Sequence, residues 1–187
     1  KRTLQSSRIV ERGVKMFNKK MEKSFNEQIN EELYSAYLYL SMVAYFESIN
    51  LPGFANWMRV QTQEEIVHAM KFYDYINQRN GRVALTALAD PQIEWKSPMD
   101  AFEAAYKHEL HITAKINELV NQAIEEKEHA ANMFLQWFVN EQVEEEKNPL
   151  DIIQKLKMIK DSSEGLYMLD KDLATRVFIP PPANQQA

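Results

Sequence analysis

Four stretches of this 187-residue chain carry an apolar stripe at 3–4 spacing, and near the middle of each stripe stands a carboxylate where a core residue belongs. The stripes read Phe25, Ile29, Glu32, Ala36, Tyr39, Val43; then Phe54, Met58, Gln61, Glu65, His68, Phe72; then Phe102, Ala105, Glu109, Ile112, Ile116, Leu119; and last Ala131, Leu135, Phe138, Gln142, Glu145. This spacing is the period of one helix face, so each stripe predicts a helix that turns its apolar side inward. One bare carboxylate in such a place is unfavourable enough to take up a proton instead. Four at one level of a bundle require compensating charge, which two divalent cations supply.

The rest of the composition narrows the chemistry. Only four Gly and no long run of alternating polarity predict an all-α protein. The absence of Cys excludes disulfides, thiolate metal sites and iron-sulfur ligation, leaving oxygen and imidazole ligands that suit iron or manganese. No segment approaches the roughly 18 consecutive apolar residues of a membrane helix, and no signal-peptide core is evident, so a cytoplasmic protein without a membrane partner is expected. Net charge is -5, unevenly placed: residues 1–23 hold eight Lys or Arg against Glu11 and Glu22, and the remainder carries -11. An acidic body disfavours nucleic acid and attracts cations.

Three segments are expected: 1–15 as a disordered or artificially added tail, 16–176 as a four-helix-bundle domain, and 177–187 as an extended C-terminal tail. Helices are predicted over about 20–48, 52–79 and 98–126, and from about 130 onward. Asn80-Gly81 reads as the stop of the second. Residues 80–97 contain Gly81 and Pro91 without a helical stripe, and at about 3.3 Å per residue can cross the length of the bundle. Pro149 removes a hydrogen bond to the Glu145 carbonyl, which predicts a kink or break between those residues. A short fifth helix is expected over about 163–175, opened by Ser162 or Ser163.

Counted from the first interhelical turn, Glu32 and Glu65 lie at nearly equal distances along antiparallel helices, and the turn near Lys127 brings Glu109 level with Gln142 and Glu145. Glu65 and His68, three apart, share a face. Singly, a helical Glu is usually a solvated charge and a lone His a satisfied core residue; four coincidences of stripe and level favour a metal centre. A second Glu-x-x-His, Glu126 to His129, falls at a turn and reads as a solvated bundle end.

The segments NEQINEELYSAYLYLSM, WMRVQTQEEIVHAMKFYDYI, FLQWFVNEQVEEE and GLYMLDKDL resemble prokaryotic non-haem ferritin, and the resemblance covers about residues 20–175. It implies a ferritin-like bundle with a long crossover, in which Glu32, Glu65 and His68 bind one iron, Glu65 bridges, and Glu109 with Glu145 binds a second. Gln142 matches a polar residue beside the second iron. Glu64, Glu141 and Glu144 match a third iron site, although by themselves they read equally as surface carboxylates. Tyr39, two turns after Glu32, is either a hydrogen-bonding partner and electron donor near the iron or a packed aromatic with a satisfied hydroxyl. The second Glu-x-x-His of bacterioferritin and rubrerythrin is replaced by Gln142 and Glu145, so the site is unsymmetrical. Ile66 stands where bacterioferritin has its haem-binding Met, and no haem is expected.

The resemblance further implies a ferroxidase that oxidises Fe(II) with dioxygen or peroxide and stores the ferric mineral in a shell of 24 subunits. Three rivals differ in kind: a di-iron peroxidase or oxidase without storage, a DNA-protecting mini-ferritin, and a metal-free structural bundle.

Overall fold

The computed structural model describes residues 17–180. Those residues form five helices and no strand: α1 (Lys19–Ser48), α2 (Pro52–Gln78), α3 (Pro98–Glu125), α4 (His129–Ile159) and α5 (Ser163–Leu173). The expectations for residues 1–15 and 181–187 lie outside the described residues; 177–180 have no regular secondary structure.

Local chemistry sets the helix ends. Asn18, Ser97 and Ser162 start α1, α3 and α5, their side chains accepting from the backbone N–H groups of Lys20, Asp100 and Gly165. After α1, α2 and α3 the chain turns through Asn50, Asn80 and Lys127, whose φ values of 58°, 55° and 55° are left-handed. The N–H groups of Leu51, Gly81 and Glu128 then reach back to the carbonyls of Phe46, Ile76 and Ala123 at 3.0, 2.9 and 2.9 Å. Asn80, rather than Gly81, therefore takes the left-handed conformation at the end of α2.

Two apolar clusters sit end to end inside the bundle. One joins the start of α1 and of α4 with the ends of α2 and α3 through Phe25, Phe72, Ile116 and Phe138. The other joins the end of α1 and of α4 with the starts of α2 and α3 through Phe46, Phe54, Phe102 and Ile153, and takes in Leu169 and Leu173 of α5. Thus α1 runs antiparallel to α2 and α3, and α4 runs parallel to α1. The crossover of residues 79–97 connects opposite ends of the bundle along α1. Asn26 accepts from the Ala84 N–H, Asn30 donates to Thr86, and Ser41 donates to the Gln92 carbonyl at 2.6, 2.8 and 2.7 Å. Trp95 closes the strap, buried against Tyr45 with ring centroids 5.3 Å apart.

Of the kink or break expected near Pro149, the break does not occur: α4 is one helix from His129 to Ile159 with Pro149 buried inside it. One missing hydrogen bond is outweighed by packing on both sides: Leu135 and Phe138 precede the proline, and Ile152, Ile153 and Leu156 follow it, all buried. The α5 helix ends at Leu173 and gives way to a turn, two residues before the expected Thr175.

The N-terminus of α2 is capped from far along the chain. Leu51 supplies no side-chain bond there, and Asp170 of α5 instead accepts from the Gly53 and Phe54 N–H groups at 2.7 and 3.1 Å. A carboxylate at a helix N-terminus is favoured both by unpaired donors and by the helix dipole. This contact docks α5 on α2.

Candidate metal centre

Between the two apolar clusters lies a polar layer. Glu32 of α1, Glu65 and His68 of α2, Glu109 of α3 and Glu145 of α4 occupy it, each 1–4 % exposed. Each is held inward because the same stripe of its helix carries buried apolar residues on both sides of the polar positions, Ile29 and Ala36 on α1, Met58 and Phe72 on α2, Ala105 and Ile112 on α3, and Phe138 and Ile152 on α4. Possible ligand atoms of Glu32, Glu65 and His68 lie within 4.8 Å of one another, as do those of Glu65, Glu109 and Glu145 and those of His68, Glu141 and Glu145. Glu65 belongs to the first two groups and stands at the junction of two adjacent candidate cation positions.

Electrostatics shows how unfavourable this layer is without a cation. Burial, reinforced by repulsion from Glu65, pushes the carboxyls of Glu32 and Glu145 up to about 8. The same two causes raise Glu109 well above the carboxylate range. Burial alone would lower the His68 imidazole, but attraction to Glu65 and hydrogen bonds to Glu141 and Glu65 outweigh it and hold the ring well above its usual value. His68 Nδ1 lies 3.2 Å from a Glu65 oxygen. The Glu32 Oε2 atom is buried without a hydrogen-bond partner. Packed, half-satisfied acids of this kind suit hard divalent cations, which replace the protons and fill the open lone pairs.

Other predicted residues are placed unequally. The Tyr39 hydroxyl donates to Glu109, and burial followed by the charge of Glu109 raises it well above the usual phenol value. Gln142 is buried with its carbonyl turned to the Thr113 hydroxyl at 2.9 Å. Of the trio Glu64, Glu141 and Glu144, only Glu141 joins a candidate group, beside His68. Glu64 accepts from Arg176 at 2.6 Å, and Glu144 is exposed. Glu126 of the second Glu-x-x-His accepts from Asn18 and Lys20 at the bundle end.

Several supporting residues were not identified from the sequence. Gln28 donates to Glu32 at 2.9 Å, and Gln61 donates to Glu65 at 3.1 Å and to Glu145. A signal existed for both: each is an amide one helical turn before a core carboxylate. His108 meets the Ser35 hydroxyl at 2.8 Å and the edge of Tyr39, and burial lowers its imidazole.

Comparison with known proteins gives a consistent result. The family model described as a ferritin-like domain matches residues 22–159. A bacterial non-heme ferritin of Bacteroides fragilis is 39% identical over 161 residues, covering 86% of this chain and 100% of the relative. A probable bacterial non-heme ferritin-like protein of Haemophilus influenzae is 40% identical over 84% of this chain and 96% of its own. Among solved structures, an Archaeoglobus fulgidus ferritin engineered into a closed form is 53% identical, with a TM-score of 0.86, over 87% of this chain and 99% of that one.

Proposed function

The chain belongs to the ferritin family, its function is iron storage, and from that premise we propose that the polar layer is its ferroxidase centre, with two Fe(II) ions as substrate. Glu32, Glu65 and His68 hold one ion, Glu65 bridges, and Glu109 with Glu145 holds the other, Gln142 standing beside it. Two ferrous ions give two electrons, which with two protons convert dioxygen to hydrogen peroxide, or hydrogen peroxide to two waters. The Fe(III) product passes to a mineral inside a homo-oligomeric shell of 24 subunits. The observation that carries this reading is the sharing of buried Glu65 between two ligand groups.

The chain's own residues supply the rest of the chemistry. Carboxyls held near a pKa of 8 are largely protonated at neutral pH, so each ion displaces protons as it binds. Tyr39 orients Glu109 through its hydroxyl. The second position has no imidazole, which suits iron that moves on. In a third site built on Glu141, Glu64 would have to leave Arg176 and Glu144 to turn inward. No described helix is long and apolar enough to cross a membrane; a cytoplasmic location belongs to the same proposal.

Anaerobic ferrous titration followed by air, with native mass taken on the same sample, tests it. Two ions bound and oxidised per chain, in a particle near 24 times 21.9 kDa, is the expected outcome. In His68→Ala the initial oxidation rate should fall by at least about tenfold while the particle stays assembled, since the apolar stripes are untouched. Unchanged rates would remove His68 from the centre, and a much smaller native particle would point to an oxidase without storage.

A further inference from the structure

The segment that follows α5 runs back along α2. Asn56 pins it by donating to the carbonyls of Leu173, Ala174 and Arg176 at 3.3, 3.3 and 2.9 Å. This places the Arg176 guanidinium over the Trp57 ring, 4.2 Å from the centroid. From there it donates to the Trp57 carbonyl at 3.2 Å, to Gln61 Oε1 at 3.0 Å and to Glu64 Oε2 at 2.6 Å. The opposite edge of the Gln61 amide, its NH2, donates to Glu65 and Glu145.

A glutamine amide can present either edge to its surroundings. A guanidinium has five donors and no acceptor, so it fixes the Gln61 carbonyl toward itself and leaves only the NH2 for the carboxylates. The stacked ring and the three bonds hold the fork in one place. One oxygen of Glu65 and one of Glu145 are thereby occupied, which sets the direction in which each carboxylate offers the other. Groups outside a ligand set that orient it in this way typically matter for metal affinity by ten- to hundredfold.

We propose that Arg176, from the C-terminal segment, is a positioning residue for the metal centre: it acts through Gln61 to orient the bridging carboxylate Glu65 and its neighbour Glu145. The inference rests on the ferroxidase reading above, and the test separates the two. Full-length, assembled protein is titrated with Co(II) alone, followed by its visible absorption, for the parent, Arg176→Ala, Gln61→Ala, the double variant, and Glu32→Ala as a reference. Arg176→Ala should weaken Co(II) binding about tenfold in the parent background and by less than about twofold when Gln61 is already alanine, because the arginine then has nothing to orient. An equal loss in both backgrounds would mean that Arg176 acts by charge or by packing and would overturn the proposal. Unchanged or tighter binding in Arg176→Ala would overturn it as well. If Glu32→Ala leaves Co(II) binding intact, the metal centre itself is misassigned; if Glu32→Ala weakens binding and Arg176→Ala does not, only the positioning role fails. Should Arg176→Ala not assemble, Arg176→Lys, which keeps the charge without the planar fork, is compared in the same two backgrounds and read the same way.

Discussion

Glu32→Gln should make the metal-free protein more stable at pH 7 while removing most of its rapid ferrous oxidation. The two effects have one cause. In the folded, metal-free chain the Glu32 carboxyl stands at about 8 against an ordinary 4.5, so the folded state binds a proton that the unfolded chain releases. A group raised in this way supports folding below about pH 4.5, and that support is lost as pH rises toward 8. At pH 7 the loss is two to three pH units at about 1.4 kcal/mol each, or roughly 3 kcal/mol. Glutamine has the same shape, accepts from Gln28 through its carbonyl and is never ionised, so it escapes the penalty. The variant should therefore melt several degrees above the parent at pH 7 and level with it near pH 4.5. A neutral amide is also a much poorer ligand for a hard cation, and initial oxidation should fall by at least about tenfold. A metal-free structural bundle would show the gain in stability with iron oxidation untouched. Equal melting of the two proteins at pH 7 would show that the Glu32 carboxylate is not under the burden described.

Among the described glycines, Gly53 is where an added methyl should do the most damage, as Gly53→Ala. A Cβ at this position would stand 1.6 Å from the Asp170 carbonyl oxygen and 2.9 Å from the Asp170 carboxylate. Backbone, not a flexible side chain, occupies the space, so α5 must move away from α2. The displaced Asp170 then no longer caps Gly53 and Phe54, a loss of about 1 kcal/mol or more, added to overpacking of about 3 kcal/mol. Leu169 and Leu173 leave the core with it. Limited proteolysis should cut Gly53→Ala within α5 under conditions in which the parent stays intact, and the melting temperature should drop. Undocking α5 also withdraws Arg176 from Trp57 and Gln61, so Co(II) binding in this variant should resemble that of Arg176→Ala. Full resistance to protease in Gly53→Ala would mean that α5 is not held by this close approach.

The positions of Glu32, Glu65, Glu109 and Glu145 were legible because helical period and turn spacing are local quantities, and they place side chains in a bundle before any tertiary contact is known. The crossover was legible for the same reason, as a long stretch without period between two strong helices. The anchors that fix it, Asn26, Asn30 and Ser41, carried only a faint signal as polar residues recurring along one side of α1. Of the kink or break that local chemistry predicts at Pro149, the break is absent, since the buried residues on both sides of it keep α4 whole. Arg176 and Asp170 could not be found locally. Their partners lie more than 100 residues away in sequence, and nothing in the period of α5 or in the segment after it marks them. Glu64 matched a third iron site by resemblance and by itself read equally as a surface carboxylate; in the structure it accepts from Arg176, a partner its own position in the sequence does not mark.

The most direct test is a crystal of the protein soaked anaerobically with Fe(II) and measured at the iron absorption edge. Two adjacent anomalous peaks are expected, one among Glu32, Glu65 and His68 and one among Glu65, Glu109 and Glu145, with Glu65 touching both. Peaks only at exposed acids, or none within reach of Glu65, would contradict a di-iron centre in this bundle.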